Sequence, residues 1–321
     1  MEGRLWVFNL SDYSEVVVGM KWVSVFVLCG VLLGCSDSIK PTAEISGVKV
    51  GSAVSDQDTA AVTGPLRLFI FDCGRIRFES VAGFGLSEGD TATRELVAPC
   101  YIIDHPKGQL LWDAGLPSDV AKSSGWVSRG DGVDVALDKT LAKQLKEMAL
   151  GFDLDALEFI AFSHIHWDHV GAANDVSSGQ WLVQEGDYRA FLDPTGATVP
   201  AVDPTLLVAM EARPVRVLTG DHDVFGDGRV KLIAAYGHTP GHQVLYVDLA
   251  NFGPVVLSGD LYHFPVSRAN RVVPLFNVDK AATLAAMDRV EAVVSETEAD
   301  FWIQHDLEHF LSQKKAPEFY Q

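Results

Sequence analysis

The segment SHIHWDHVGA, residues 163–172, brings four potential metal ligands into six positions: His164, His166, Asp168 and His169. It overlaps the end of the apolar run LEFIAFS (157–163), which predicts a short buried strand. Side chains two residues apart at a strand end point to the same side, so His164 and His166 are expected to share one metal ion. Asp168 and His169 lie in the turn that follows, where they can face a second ion. Imidazole and carboxylate ligands together suit Zn²⁺, and also Mn²⁺, Fe²⁺ or Co²⁺.

Strand and helix signals on both sides of this segment predict an α/β sandwich. The further strands are expected at residues 66–71, 97–103, 109–112, 180–184, 230–235, 243–248, 254–258 and 299–303. Apolar residues at helical spacing predict helices at 137–150 and 281–296. Because functional residues concentrate on loops that a rigid scaffold holds in place, the metal ligands are expected on loops at strand ends.

The pattern HxHxDH with these flanks resembles the signature of the metallo-β-lactamase superfamily, and the resemblance runs from about residue 66 to the C-terminus. It implies an αββα sandwich with the metal ligands on loops at one edge of the two sheets. The motifs TPGHQ, VVLSGD and FWIQHD match the remaining ligand positions of the family, which fall at His242, Asp260 and His305.

The resemblance also implies a role for each of these residues. One metal would be held by His164, His166 and His242, the other by Asp168, His169 and His305, and Asp260 would bridge the two. The motif LLWDAG supplies Asp113, which would orient the site from behind the ligands. His238, in GHTPGH, is expected to shape the loop or to support a ligand, with a ligand role as the alternative.

Two metals at such a site, most simply two zinc ions, can hold a bridging hydroxide that attacks a carbonyl. Asp260 would position that nucleophile, and Asp168 could relay a proton to the leaving oxygen. Within the superfamily, LLWDAGLP, SHIHWDHVGAAN, QEGDYRAF and GHTPGHQVLYV look like the N-acyl homoserine lactonase family. That resemblance implies a small-molecule substrate, a lactone whose ring is opened by hydrolysis (quorum quenching).

One position departs from the lactonase pattern. Many such enzymes have a tyrosine three residues after the bridging aspartate, whereas this chain has His263 there and Tyr262 one residue earlier. His263 could donate a hydrogen bond to the developing oxyanion or simply line the pocket. Four aromatic residues are candidate contacts for an acyl chain, with a place in the core as the alternative: Trp167, Tyr262, Phe264 and Phe84.

Other functions share the motifs. A thioesterase of the glyoxalase II kind also carries GHTPGH, but its usual basic contacts would have only Lys314 and Lys315 as local candidates. An organophosphate or aryl-ester hydrolase would use the same metal-activated nucleophile. A lipid-anchored sensor that binds metal without turnover is the non-enzyme alternative.

Residues 1–35 resemble a bacterial lipoprotein leader. The apolar run WVSVFVLCGVLLGC ends in a lipobox-like LLGC, whose Cys35 would be lipidated, and translation is expected to start at Met20 because residues 1–19 are acidic. Residues 36–65 are rich in small and polar residues and predict a flexible tether, followed by one hydrolase domain at 66–321. The expected location is the periplasm, with a lipid anchor as the sole contact with the membrane. A secreted protein or an uncleaved anchor helix are the alternatives.

Composition limits the partners further. The formal net charge of −18 disfavours nucleic-acid binding, and four cysteines without CxxC spacing disfavour a thiolate metal site. Cys73 and Cys100 could pair in an oxidising compartment or remain buried free thiols. The sequence leaves the oligomeric state open, with a homodimer as one alternative.

Overall fold

The computed structural model describes residues 64–193 and 199–321. The predicted leader, and the predicted tether except for its last two residues, lie outside the described residues. In the part of the chain that is described, no helix is long and apolar enough to cross a bilayer.

The larger of two β-sheets has eight strands within the described residues. These are β1 (Arg67–Phe78), β2 (Glu95–His105), β3 (Gly108–Trp112), β4 (Val127–Gly130), β5 (Val133–Ala136), β6 (Phe159–Ala161), β7 (Gln180–Gln184) and β8 (Val215–Leu218). Their order is β4-β5-β1-β2-β3-β6-β7-β8. Pairing is antiparallel from β4 to β3 and parallel from β3 to β8.

The smaller sheet contains β9 (His222–Asp223), β10 (Val230–Ala234), β11 (Gln243–Leu249), β12 (Gly253–Leu257) and β13 (Asp300–Trp302). Its order is β13-β12-β11-β10-β9, and only the β12–β13 pair is parallel. The α-helices are α1 (Leu141–Met148), α2 (Glu185–Phe191), α3 (Pro265–Asn270), α4 (Lys280–Thr297) and α5 (Leu307–Ser312).

Alternation along β1 shows how the layers form. Leu68 and Ile70 belong to the apolar cluster between the two sheets, whereas Phe69 and Phe71 belong to the cluster that includes residues of α1. On the other side of the molecule, Met287 of α4 packs against the outer face of the smaller sheet. Burial of each such side chain stabilises the fold by about 1.5–3 kcal/mol. The four layers are helix, sheet, sheet and helix, so the predicted αββα sandwich is confirmed.

Each of the nine predicted strands and both predicted helices has a counterpart in the structure, whereas β4, β5, β8, β9, α2, α3 and α5 were not predicted. The helix predicted at 137–150 is shorter, because Thr140 caps α1 by accepting from the Lys143 N–H and Ala149 ends it in the left-handed conformation. The hairpin of β4 and β5 was not predicted, since its strands are short and mostly exposed. It extends the larger sheet beside β1.

Cys73 and Cys100 form a disulfide between β1 and β2, which selects one of the two alternatives left open by the sequence. The bond lies directly behind the loop that follows β3. A Cβ at Gly115 would lie 2.3 Å from the Cβ of Cys73, so only glycine fits there. In addition, the Leu116 N–H donates to the Cys73 carbonyl at 2.9 Å. The disulfide therefore supports the loop that begins with Asp113.

Candidate metal centre

The loop after β6 carries the donors of the SHIHWDH segment. A tight turn forms because the N–H groups of His169 and Val170 both donate to the carbonyl of His166, at 3.0 and 3.1 Å. A Cβ at Gly171 would lie 2.2 Å from the backbone of the loop that follows β3, so glycine is required for this close packing. The turn gathers the side chains of the segment at one edge of the sandwich.

Three loops of the smaller sheet complete the site at the same edge. His238 lies in the loop between β10 and β11, Asp260 follows β12, and His305 follows β13. All three residues are buried. The two sheets thus contribute donors to a common centre.

The first group of donors consists of His164, His166, His238 and Asp260. The Nε2 atom of His238 lies 3.1 Å from Nε2 of His164 and 3.0 Å from Nδ1 of His166, and the latter two atoms are 2.8 Å apart. The Oδ2 atom of Asp260 is 3.2 Å from Nε2 of His238. These distances leave three imidazoles and one carboxylate oxygen facing a common point.

The second group consists of Asp168, His169 and His305. The Nε2 atoms of the two histidines are 3.2 Å apart, and Oδ2 of Asp168 lies 3.8 and 3.7 Å from them. The Oδ1 atom of Asp260 is 3.0 Å from Nε2 of His169 and 2.9 Å from Nε2 of His305. Asp260 therefore presents one oxygen to each group, which is the arrangement of a bridging ligand.

Acceptors behind the rings fix which nitrogens face the centre. The Nδ1 atom of His169 bonds Oδ2 of Asp113 at 2.9 Å, and Nδ1 of His305 bonds the Val97 carbonyl at 2.7 Å. Both partners are acceptors, so each Nδ1 carries a proton, and the neutral form of each ring has its Nε2 lone pair directed inward. This is the tautomer that a metal ligand requires.

The inward-facing atoms fit divalent cations. Oδ1 of Asp260 is buried and has no hydrogen-bond partner, although two imidazole nitrogens lie within about 3 Å of it. Several acceptors that face one another at such distances repel unless a cation lies among them. Histidine and aspartate are also the ligands that zinc and related metals prefer. The donor set therefore fits two divalent metal ions.

Burial and the neighbouring charges shift the pKa values of the histidines and of Asp260 at the site. Burial holds the pKa of the His164 imidazole well below its usual value, and the charge of His169 acts in the same direction. Burial also acts to lower the pKa of His169, but the carboxylates of Asp260 and Asp113 outweigh it and raise that pKa well above its usual value. For the Asp260 carboxyl, burial is opposed and outweighed by His169 and His305, so its pKa lies well below the usual value. The Asp260 carboxylate therefore stabilises a positive charge on the His169 ring.

The structure corrects the assignment of His242 as a ligand. The Nδ1–H of His242 donates to the Ala235 carbonyl, and Nε2 accepts from the Asp260 N–H, both at 2.9 Å. Burial, with a further contribution from His238, lowers the pKa of His242 to about 3. Both nitrogens of His242 are therefore engaged in hydrogen bonds, and it is His238 that faces the other donors of the first group. The cause is local: His242 directly precedes β11 and its ring bonds back to Ala235 at the start of the loop, whereas His238 lies in the middle of the loop and faces the donors.

A cavity of about 570 Å³ opens onto the donors. Its apolar wall includes Ile76, Phe78, Phe84, Leu96, Val133, Trp167 and Phe276, and its floor includes His166, Asp168, Asp260, His263 and His305. Phe84 and Trp167 thus line the cavity as the sequence analysis proposed. The wall is mainly apolar and the floor polar, which suits a substrate with an apolar part and a reactive polar group.

The structure places the other two aromatic candidates elsewhere. Tyr262 points away from the donors and lines a separate surface pocket with Arg268 and Glu291, because Tyr262 and His263 are successive residues and the backbone at Tyr262 is extended. Phe264 packs behind Phe84, with ring centroids 5.0 Å apart, and does not line the cavity. Neither residue lines the cavity that opens onto the donors.

His263 lies on the cavity floor. Its Nε2 is 3.0 Å from Oδ2 of Asp260, while its Nδ1 is buried without a hydrogen-bond partner. The ring also stacks on His305, with centroids 5.4 Å apart. Because His263 lies beside both Asp260 and the cavity, its position is compatible with the predicted catalytic role, which stays a prediction.

A family model described as the metallo-beta-lactamase superfamily matches residues 93–297. The chain belongs to this superfamily. Among curated proteins it is 28% identical over 264 residues to the N-acyl homoserine lactonase AttM of Rhizobium radiobacter, an alignment that covers 79% of this chain and 98% of that protein. It is 26% identical over 261 residues to an N-acyl homoserine lactonase of a Bacillus species, with 79% and 98% covered.

Solved structures agree on the metallo-beta-lactamase fold. A single-residue mutant of AiiA from B. thuringiensis, with N-decanoyl-L-homoserine bound at its active site, superposes with a TM-score of 0.64 at 23% identity, covering 80% of this chain and 100% of that one. The dizinc quorum-quenching lactonase AidC superposes with a TM-score of 0.54 at 17% identity, covering 80% and 94%. With the His/Asp groups of the site, these findings identify the chain as a hydrolase of the metallo-beta-lactamase superfamily.

The site of this member of the metallo-beta-lactamase superfamily includes supporting residues that were not predicted from the sequence. Gln304 donates to Oδ2 of Asp113 at 2.8 Å and accepts from the Gly259 N–H at 2.8 Å, so it connects the supports of the two sheets. The Ser163 hydroxyl bonds the same Asp113 oxygen at 3.0 Å. Both residues directly precede an expected ligand at a strand end, which is the signal that could have found them. Asn277, which bonds Nδ1 of His238 at 2.9 Å, carries no such signal.

Proposed function

We propose that this chain is a metal-dependent lactonase that hydrolyses N-acyl homoserine lactones. The observation that carries the proposal is the carboxylate of Asp260, which lies between two groups of inward-facing donors on the floor of an apolar cavity. Relatives with the name N-acyl homoserine lactonase, aligned over 98% of their length, support the substrate class.

The first group, His164, His166 and His238, would hold one metal, and the second group, Asp168, His169 and His305, the other, with Asp260 shared. We propose zinc at both positions, with manganese, iron or cobalt as alternatives that the donor set also accommodates. When bound, the two ions supply an activated water and polarise the lactone carbonyl.

The residues of the chain bind and orient the substrate and move protons. The apolar wall formed by Phe84, Phe276 and Trp167 holds the acyl group and excludes water from it. Asp168, whose Oδ2 is 3.7 Å from His305 on the cavity floor, would accept the proton released by the attacking water and relay it to the leaving alkoxide oxygen. The Nε2–H of His263 bonds Asp260 and faces the same floor, where it can be shared with the carbonyl oxygen as negative charge develops.

The glyoxalase II-like alternative finds no support in the cavity. Lys315 donates from Nζ to the carbonyls of Phe310 and Leu311, and Lys314 lies over the Tyr320 ring. Neither lysine lines the cavity, so the basic residues that were the local candidates for binding glutathione carboxylates are directed elsewhere.

The test is proton release by the purified protein on homoserine lactones, γ-lactones, lactoylglutathione, paraoxon and a cephalosporin, before and after chelation. We expect chelator-sensitive hydrolysis of the homoserine lactones that returns on addition of Zn²⁺. A chelator-sensitive rate confined to the thioester or the cephalosporin would contradict the proposal.

The role of His263 is tested separately. His263→Ala should lower kcat by about 10²-fold, the effect of losing one oxyanion donor, while the metal content stays at two equivalents. His309→Ala, which changes a histidine of α5 outside the cavity, is the matched control and should leave kcat unchanged. An unchanged kcat in His263→Ala would leave that residue as part of the cavity wall alone.

We also propose that Cys35 is lipidated and that the hydrolase domain lies in the periplasm. The Cys73–Cys100 disulfide supports an oxidising compartment. Metabolic labelling with a radioactive fatty acid, in cells with the wild-type chain and with Cys35→Ala, is the measurement: the wild type should carry the label and the variant should not. A wild-type protein without label would contradict the lipid anchor.

A further inference from the structure

The side chain of Asn277 lies outside the donor groups and contacts the centre through one ligand. Its Oδ1 accepts from Nδ1–H of His238 at 2.9 Å, and its Nδ2 donates to Oγ1 of Thr283 at 3.1 Å. Thr283 is fully buried in the first turns of α4. The amide thus connects helix α4 to a histidine of the metal centre.

The direction of these hydrogen bonds follows from the bond that the Thr283 hydroxyl makes with the Asp279 carbonyl. The Thr283 hydroxyl donates its single hydrogen to the Asp279 carbonyl at 2.7 Å, so toward Asn277 its oxygen can only accept. The amide must therefore turn Nδ2 toward Thr283 and Oδ1 toward His238. An acceptor at that point requires a proton on Nδ1 of His238, which leaves the Nε2 lone pair facing His164 and His166.

The backbone holds the same contact in place. The N–H groups of Val278 and Asp279 donate to the carbonyls of His238 and Gly237 at 3.1 and 2.9 Å. Gly237 has a φ of 132°, and a Cβ there would lie 2.2 Å from the Thr283 nitrogen, so glycine is required for the loop to approach α4. Asn277 is therefore held in register with His238 from both sides.

We propose that Asn277 is a positioning residue that fixes His238 as the Nδ1–H tautomer through the hydrogen-bond chain from Asp279 and Thr283. The proposal rests on the metal centre of the proposed function but not on its substrate. The expected effect is confined to one metal. The affinity for the metal that His164, His166 and His238 would hold depends on these hydrogen bonds. The affinity for the metal that Asp168, His169 and His305 would hold does not.

The test is competition between the purified protein and a chromophoric chelator for Zn²⁺, which gives a dissociation constant for each metal equivalent. Asn277→Leu removes the acceptor, and we expect one equivalent to bind about 10–100-fold more weakly while the other keeps its affinity. Thr283→Val removes the hydroxyl that orients the amide and should weaken the same equivalent to a smaller extent. Asn277→Asp keeps an acceptor for His238 and should restore most of the affinity.

The matched control is Thr297→Val on the same helix, since the Thr297 hydroxyl also donates to a carbonyl four residues earlier, at 2.7 Å from Val293, without contact with the centre. It should leave both dissociation constants unchanged. Wild-type affinities in both Asn277→Leu and Thr283→Val would overturn the proposal, as would Asn277→Asp binding as weakly as Asn277→Leu. Because the titration needs no turnover, a failure of the lactonase assignment would leave these results interpretable.

Discussion

Asp113 is the fully buried carboxylate on which the second metal group depends, and its replacement by asparagine gives a quantitative test. Oδ1 accepts from the Ser163 N–H at 2.6 Å, and Oδ2 accepts from His169, Gln304 and the Ser163 hydroxyl at 2.9, 2.8 and 3.0 Å. An amide has one oxygen, so Asp113→Asn must turn its NH₂ either toward the Ser163 N–H or toward the donors that face Oδ2. At least one buried donor is left without a partner.

The expected cost follows from that count. One unsatisfied buried donor lowers the free energy of unfolding by about 1–3 kcal/mol. Asparagine tolerates the left-handed backbone at this position (φ 55°), so backbone strain adds little. Loss of the charged acceptor behind His169 should also weaken metal binding at the second group by about 10–100-fold.

Urea denaturation of the metal-stripped proteins measures the first quantity, and chelator competition measures the second. Asp131→Asn is the matched control, because Asp131 has a similar φ of 51° but is exposed. It should change stability by no more than about 0.5 kcal/mol. If Asp113→Asn behaved like this control in both measurements, the account of Asp113 as the support of His169 would be refuted.

Three further predictions concern the rest of the framework. Replacing both Cys73 and Cys100 by alanine should lower the free energy of unfolding by about 3.5 kcal/mol, from the chain entropy of a loop with a sequence separation of 27, and urea denaturation of the oxidised protein measures this. His238→Ala should retain one metal equivalent, whereas His242→Ala should retain two but lose stability, and elemental analysis distinguishes them. Burial raises the pKa of Asp187 to about 6, above its unfolded value of 3.8, so between about pH 4 and pH 6 the unfolded state binds fewer protons and stability falls as pH rises. Relative to Asp187→Asn, the wild type should lose about 2 kcal/mol across that window, and a constant difference would contradict the buried carboxyl.

Much of the site could be predicted from the chain because its donors follow strand ends. The ends of β6, β12 and β13 were expected within a few residues, and His164, Asp260 and His305 each lie just beyond one of them. Because these strands are buried, they consist mainly of apolar residues, and such runs can be recognised in the sequence. The layers of the fold could be predicted for the same reason.

What could not be predicted depends on contacts between distant loops. His238 and His242 occur in one short motif, and only the positions of Ala235 and Asp260 decide which ring is used for structure. Tyr262 and His263 differ in direction because the backbone is extended there, which no local pattern signals. The partner of His238, Asn277, follows the ligand by 39 residues in a segment without strand or helix signals.

The centre takes its donors from both sheets, with the loop after β6 on one side and the loops after β10, β12 and β13 on the other. We therefore expect metal binding to determine whether the two sheets unfold together as one cooperative unit. With both ions bound, amide hydrogen exchange in β6 and β12 should follow a single global opening, because neither sheet can separate without releasing a ligand. After the ions are removed, this coordination across the sheets is lost, and exchange in β6 and β12 should occur through separate openings of lower free energy.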